Sequence, residues 1–173
     1  MVGLSIGVLA MPRQTGLRGW IVGLSTFVVL ANLPDLPVSH WGHDKYHISH
    51  SLFVNLAIIA LVSVGWLLLR RPGSSSGKYL LLAGILAWLS HLILDSFYNH
   101  GHGIAVFWPF SDARLHLAIP WFRTLDLHHA WWSTRNMAVM GIELLAYSPL
   151  MLLAIAGRVL MDRRVDRTSR SEP

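Results

Sequence analysis

The chain has 173 residues, 53% of them hydrophobic and only 13% charged, with a formal charge of +5. A soluble domain averages roughly 25% charged residues, so an ordinary soluble surface is excluded, and the length fits one domain. Cysteine is absent, which excludes thiolate metal sites, disulfides and a cysteine nucleophile.

Met1 to Met11 is an apolar run ended by Pro12 and Arg13. At about 1.5 Å per residue it reaches roughly 16 Å, half of a bilayer core. It has no basic region before it and no small-residue cleavage site after it, so a cleaved signal peptide is not expected. Leu17 to Leu33 is a second run, closed by Pro34 and Pro37. Ser51 to Leu69 is a third, of near-spanning length, stopped by Arg70, Arg71 and Pro72. Gly73-Ser74-Ser75-Ser76-Gly77 reads as a flexible connector. Tyr79 to Phe97 is a fourth run, and Met137 to Met161 a fifth, long enough to span with some tilt. Continuous apolar runs of this length argue for membrane helices over strands. The expected fold is an all-α integral membrane bundle of about five hydrophobic segments. Residues 1–161 form its one embedded domain, and residues 162–173 form a basic, disordered tail.

If the five segments alternate, Arg13, Arg18, Arg70, Arg71, Lys78, Arg158, Arg163, Arg164, Arg167 and Arg170 fall on one side. Lys45, Arg114, Arg123 and Arg135 fall on the other. Ten against four makes the first side cytoplasmic by the positive-inside rule, with a cytoplasmic C-terminus. The basic residues are then explained by topology. The expected partner is the lipid bilayer of a plasma (inner) membrane, and no nucleic acid is expected. The same assignment, made from Lys and Arg alone, puts all ten histidines at the outer face or within about two turns of it. Two independent signals therefore converge on one face.

Within that face, His91-Leu92-Ile93-Leu94-Asp95 has i,i+4 spacing, which places both polar side chains one turn apart on one helix face. They can bind a metal together, or simply hydrogen-bond inside the bundle. Ionisable groups within membrane segments are expensive and usually functional, which favours metal binding or catalysis. Asp35, in Asn32-Leu33-Pro34-Asp35-Leu36-Pro37, sits in a helix stop and turn and is a carboxylate ligand candidate beside His91 and Asp95. His43, His47 and His50 have ligand-like spacing if their segment is helical; His50 is the first choice and His47 the second. His40 and His43 also read as interfacial residues beside Trp41. Neutral imidazole suits zinc, iron, copper or nickel.

Other candidates are weaker. Trp108, Trp121, Trp131 and Trp132 fit an interfacial belt, and Asp112 fits either a support for a ligand histidine or a turn cap. His128 and His129 are adjacent, so at most one joins a site. Glu143 stands alone in the fifth run and needs a partner, either the metal site or another helix. The expected metal set is Asp35, His47, His50, His91 and Asp95, with Asp35 or Glu143 as general base. A metal held there beside a base reads as an enzyme site at the membrane surface. The alternative is a metal-binding transport or sensor protein. An ion pathway should cross the bilayer, but the inner halves of these runs lack ionisable residues, which favours the surface enzyme.

Asn32-Leu33-Pro34-Asp35, Ser49-His50-Ser51-Leu52 and His91-Leu92-Ile93-Leu94-Asp95, followed by Gly101 and Trp108-Pro109-Phe110-Ser111-Asp112, resemble the membrane-bound metal-dependent hydrolases of the YdjM-like type. The resemblance runs from about Met1 to about Glu143. It implies a fold related to zinc-dependent phospholipase C and P1 nuclease, and hydrolysis of a phosphoester or lipid headgroup with a divalent metal. The chain departs from the family pattern twice. Lys45-Tyr46-His47-Ile48-Ser49-His50-Ser51 stands where the family has His-Arg-x-x-Thr-His-Ser, which shifts or removes one histidine. Met1 also directly precedes Val2-Gly3-Leu4-Ser5-Ile6-Gly7, where the family opens with a histidine. The expectation is an upstream start or a lost ligand.

Overall fold

The computed structural model describes residues 1–69, 75–98, 103–117, 119–126 and 128–170. Arg70, Arg71, Gly73, Ser74, His100, Gly101 and His102 lie outside the described residues. Each apolar run of the sequence becomes a helix: α1 (Val2–Ala10), α2 (Leu17–Ala31), α4 (Leu52–Leu69), α5 (Ser75–Asp95) and α6 (Thr134–Arg170), with the one-turn α3 (Tyr46–Ser49) before α4. Among the described residues there is no strand, only an isolated antiparallel bridge between Ile104 and Leu115.

Three of these helices are long and apolar enough to cross a membrane: Leu52–Leu69, Gly77–Asp95 and Thr134–Arg164. The 15-residue α2 and the 9-residue α1 are shorter than that. Two boundaries differ from expectation. Ser75, Ser76 and Gly77, read as connector, belong to the first turn of α5. α6 runs past Met161 to Arg170, through most of the segment expected to be a disordered tail. Alternating basic and acidic residues there, including Arg158 and Asp162 paired at i,i+4, support an exposed helix.

The short α1 is the hub. It packs against α2, α5 and α6, whereas α4 stands at the edge against α5. Close approach requires small residues on α1: a Cβ on Gly3 would come within 2.5 Å of the Phe27 carbonyl oxygen on α2. The buried core gathers Met11, Phe27, Ala83 and Ala87, with Trp20 and Leu24 packed on it. Outward-facing apolar side chains such as Leu61, Leu68, Leu145 and Leu153 stay largely exposed, as lipid-facing surface should.

The two ends of the bundle are fastened differently. At one, Arg158 donates to the Met11 carbonyl and, at 3.1 Å, to Asp162, and Arg13 pairs with Asp166. At the other, loops fold over the ends of α2, α4 and α5. Leu52 N–H donates to Val106 O at 3.0 Å, and Leu117 N–H to Ser96 O at 2.9 Å. Gly103 makes this loop possible: its φ is +64°, and a Cβ there would lie 2.4 Å from the Leu115 carbonyl oxygen.

Candidate metal centre

The looped end is where the polar residues meet. α2 stops at Ala31, and Pro34 starts a single 3₁₀ turn, Leu33–Asp35, that carries Asp35 inward. His50 caps α3 just before α4, and His91 projects from the last turns of α5. Asp35, His50 and His91 each offer a ligand atom within 4.8 Å of the other two. His50 Nε2 is 3.2 Å from Asp35 Oδ1 and 3.4 Å from Asp95 Oδ2. His91 Nε2 is 3.5 Å from Asp35 Oδ2. The His50 side chain is 0% exposed and that of His91 11%.

Each imidazole is aimed by its other nitrogen. His50 Nδ1 lies 2.8 Å from Ser49 Oγ and 3.2 Å from the Tyr46 carbonyl. His91 Nδ1 lies 2.9 Å from the Ala31 carbonyl. A carbonyl only accepts, so the Nδ1 of His91 carries the proton, which in the neutral ring leaves a lone pair on Nε2. Both Nε2 atoms are buried and make no hydrogen bond, although carboxylate oxygens stand 3.2 to 3.5 Å away. Buried polar atoms are almost always satisfied. Lone pairs facing a carboxylate in this way leave a place for a cation.

The surroundings keep the acidic groups in defined states. Burial alone would raise the Asp35 carboxyl, but positive charge on the His50 and His91 side outweighs that and holds it far below the usual carboxylate range, a place that a bound cation takes when the rings are neutral. Burial pushes the Tyr46 phenol well above its ordinary value, and the neighbouring Asp95 adds to this. The phenol therefore stays protonated and donates to Asp95. The Tyr46 ring also stacks on His50, with centroids 3.8 Å apart.

A family model described as YdjM inner membrane protein matches residues 1–164. The chain belongs to the YdjM inner membrane protein family. No curated protein and no solved structure matches it. The family description names a membrane and no reaction, so any chemistry of this YdjM-family chain is argued from its own side chains. Together with three apolar helices of spanning length, the match makes it a membrane protein.

Of the residues singled out in the sequence, the structure brings together Asp35, His50 and His91, with Asp95 at their edge. His47 is not in the group. The residue one turn before His50 is Tyr46, whose ring occupies that face, and His47 turns its ring edge-on to Trp108, centroids 5.3 Å apart. Glu143 accepts a 2.7 Å hydrogen bond from Tyr98 and lines the same cavity as Asp35, His91 and Asp95. His129 pairs with Asp126 at 3.0 Å, apart from the centre. His128 and Asp112 are exposed.

The sequence reading missed Tyr46, Ser49 and Asn55. Asn55 links its helix to the centre: its Nδ2 donates to the Ser49 and Ser51 carbonyls, both at 2.7 Å, and its Oδ1 accepts from Trp88 Nε1 at 2.7 Å. An amide in an otherwise apolar run was the available signal.

Proposed function

We propose that this YdjM-family chain is a metal-dependent hydrolase of the inner membrane, holding zinc or a similar divalent ion and cleaving a phosphoester or lipid headgroup at the outer face. The observation that carries the reading is the pair of buried imidazole nitrogens, both without hydrogen bonds and both facing Asp35. Two imidazoles and a carboxylate are a donor set that zinc commonly takes, with an open position left for catalysis. Asp35, His50 and His91 would hold the ion, and Asp95, fixed by Tyr46, would stand as a fourth ligand or orient one. Such an ion supplies Lewis acidity and a nucleophilic water near neutral pH.

The chain's own groups do the rest. Asp35 is committed to the ion, which leaves Glu143 as the cavity carboxylate able to accept a proton. Tyr98 donates to it and keeps it oriented.

The first test is metal content of the detergent-purified protein, beside His91→Ala and Asp35→Ala. The expected result is about one zinc per chain, lost in both variants while the thermal melt shows them folded. Absence of metal after reconstitution with zinc, manganese and iron would remove the hydrolase mechanism and leave the cluster structural.

A further inference from the structure

A cavity of about 1070 Å³ opens beside the metal centre. Drug-sized ligand pockets run to roughly 1,000 Å³, so it is roomy for a small soluble molecule. Its lining combines Asp35, Tyr46, His91, Asp95, Glu143 and Arg114 with the apolar Leu94, Leu125, Met137, Met140 and Leu144. On the apolar side Met137 is 50% exposed, Met140 43% and Leu144 57%. All three belong to α6, a helix of spanning length. These side chains therefore carry the cavity sideways onto the exposed apolar surface of α6.

Among the described residues lining this cavity, Arg114 is the one Lys or Arg, beside the carboxylates Asp35, Asp95 and Glu143. Its Nη1 reaches the Gly103 carbonyl at 3.4 Å, and among the described residues it makes no ion pair with a carboxylate. The Ile104–Leu115 bridge, whose two N–H groups each donate at 2.9 Å, fixes the backbone beside it, and Arg114 itself is exposed. Its guanidinium keeps donors for a planar, bidentate contact with phosphate oxygens.

We propose that the cavity is a lipid-binding pocket entered sideways from the bilayer, with Arg114 gripping the phosphate head of one anionic amphiphile and the apolar α6 wall taking its acyl chain. This deepens the hydrolase reading and rests on it for the fate of the bound lipid: a phosphate on Arg114 lies in the same cavity as Asp35 and His91. Binding itself needs only Arg114 and the exposed apolar side chains of α6.

The experiment measures calorimetric binding of the phosphonate analogue of dioctanoyl phosphatidate, which resists hydrolysis, to the full chain in a neutral detergent. Dioctanoyl glycerol and inorganic phosphate serve as the comparison ligands, and zinc content is read on the same samples. The expected result is saturable phosphonate binding, with inorganic phosphate at least a hundredfold weaker. Arg114→Gln should weaken the phosphonate at least tenfold and leave the diglyceride unchanged. Leu144→Trp, on the exposed apolar wall, should weaken phosphonate and diglyceride alike. Equal phosphonate affinity in Arg114→Gln and the unaltered chain overturns the proposal. So does inorganic phosphate binding as tightly as the lipid, which would make the site a soluble-anion site. Zinc present without phosphonate binding sinks the pocket and spares the hydrolase reading; phosphonate binding without zinc does the reverse.

Discussion

Ser49 Oγ and the Tyr46 carbonyl hold one nitrogen of His50, and the Ala31 carbonyl holds that of His91. Partners on the far side of a ligand histidine typically change metal affinity 10–100-fold when removed. Ser49→Ala leaves the Tyr46 carbonyl in place, so zinc affinity should fall about tenfold, the low end of that range, as read by chelator competition. Asp126, outside the centre, is a second residue with a measurable signature. The His128 backbone N–H, then His129 and Arg135, hold its carboxyl below the ordinary value. Its contribution is therefore present above about pH 3.9 and lost as pH falls through the lower folded value. Tryptophan fluorescence from the neighbouring Trp131 and Trp132 should change below pH 4, and Asp126→Asn should remove that change. At this scale Asp35, His50, His91 and Asp95 were legible, because prolines stop the helix at Asp35, i,i+4 spacing pairs His91 with Asp95, and His50 begins the third apolar run. Arg114 and the bond from Tyr46 to Asp95 were not, because their partners come from other segments of the chain.

Between elements, α4 touches the rest of the molecule sparingly, and Asn55 is its main polar tether to α5. Asn55 is 0% exposed. Asn55→Leu leaves the Trp88 N–H and the Ser49 carbonyl without this partner, at about 1–3 kcal/mol. The expected result is a lower unfolding midpoint in detergent together with weaker zinc binding, since Ser49 adjoins His50. If the midpoint falls while zinc affinity stays constant, the tether does not position the site. The five apolar runs were legible as helices because their composition alone demands burial in lipid or protein. Their ends were harder to see. α5 begins in a Gly/Ser stretch, where propensity opposes helix, and the short α1 gains its order from packing on three neighbours, which no local pattern announces.

Across the whole bundle, the far end is closed by Arg158, which donates to the Met11 carbonyl and pairs with Asp162 while its ring neighbour Trp20 lies 5.3 Å away. Its side chain is 11% exposed. Hydrogen bonds to a charged group contribute roughly 1.5–3 kcal/mol, so Arg158→Met should destabilise by about that much in a detergent melt. The metal content should not change, because the centre lies at the other end.

The 37 residues of α6 extend about 55 Å, against a hydrocarbon core of about 30 Å. Thr134 to Arg158 accounts for about 36 Å of that, a length that fits the core with tilt. Paired tryptophans, Trp131 and Trp132, stand just before one limit, and Arg158 marks the other. α6 therefore works as a depth gauge. Inserting or deleting one helical turn would change the distance between these two limits by about 5 Å without touching a single residue of the centre.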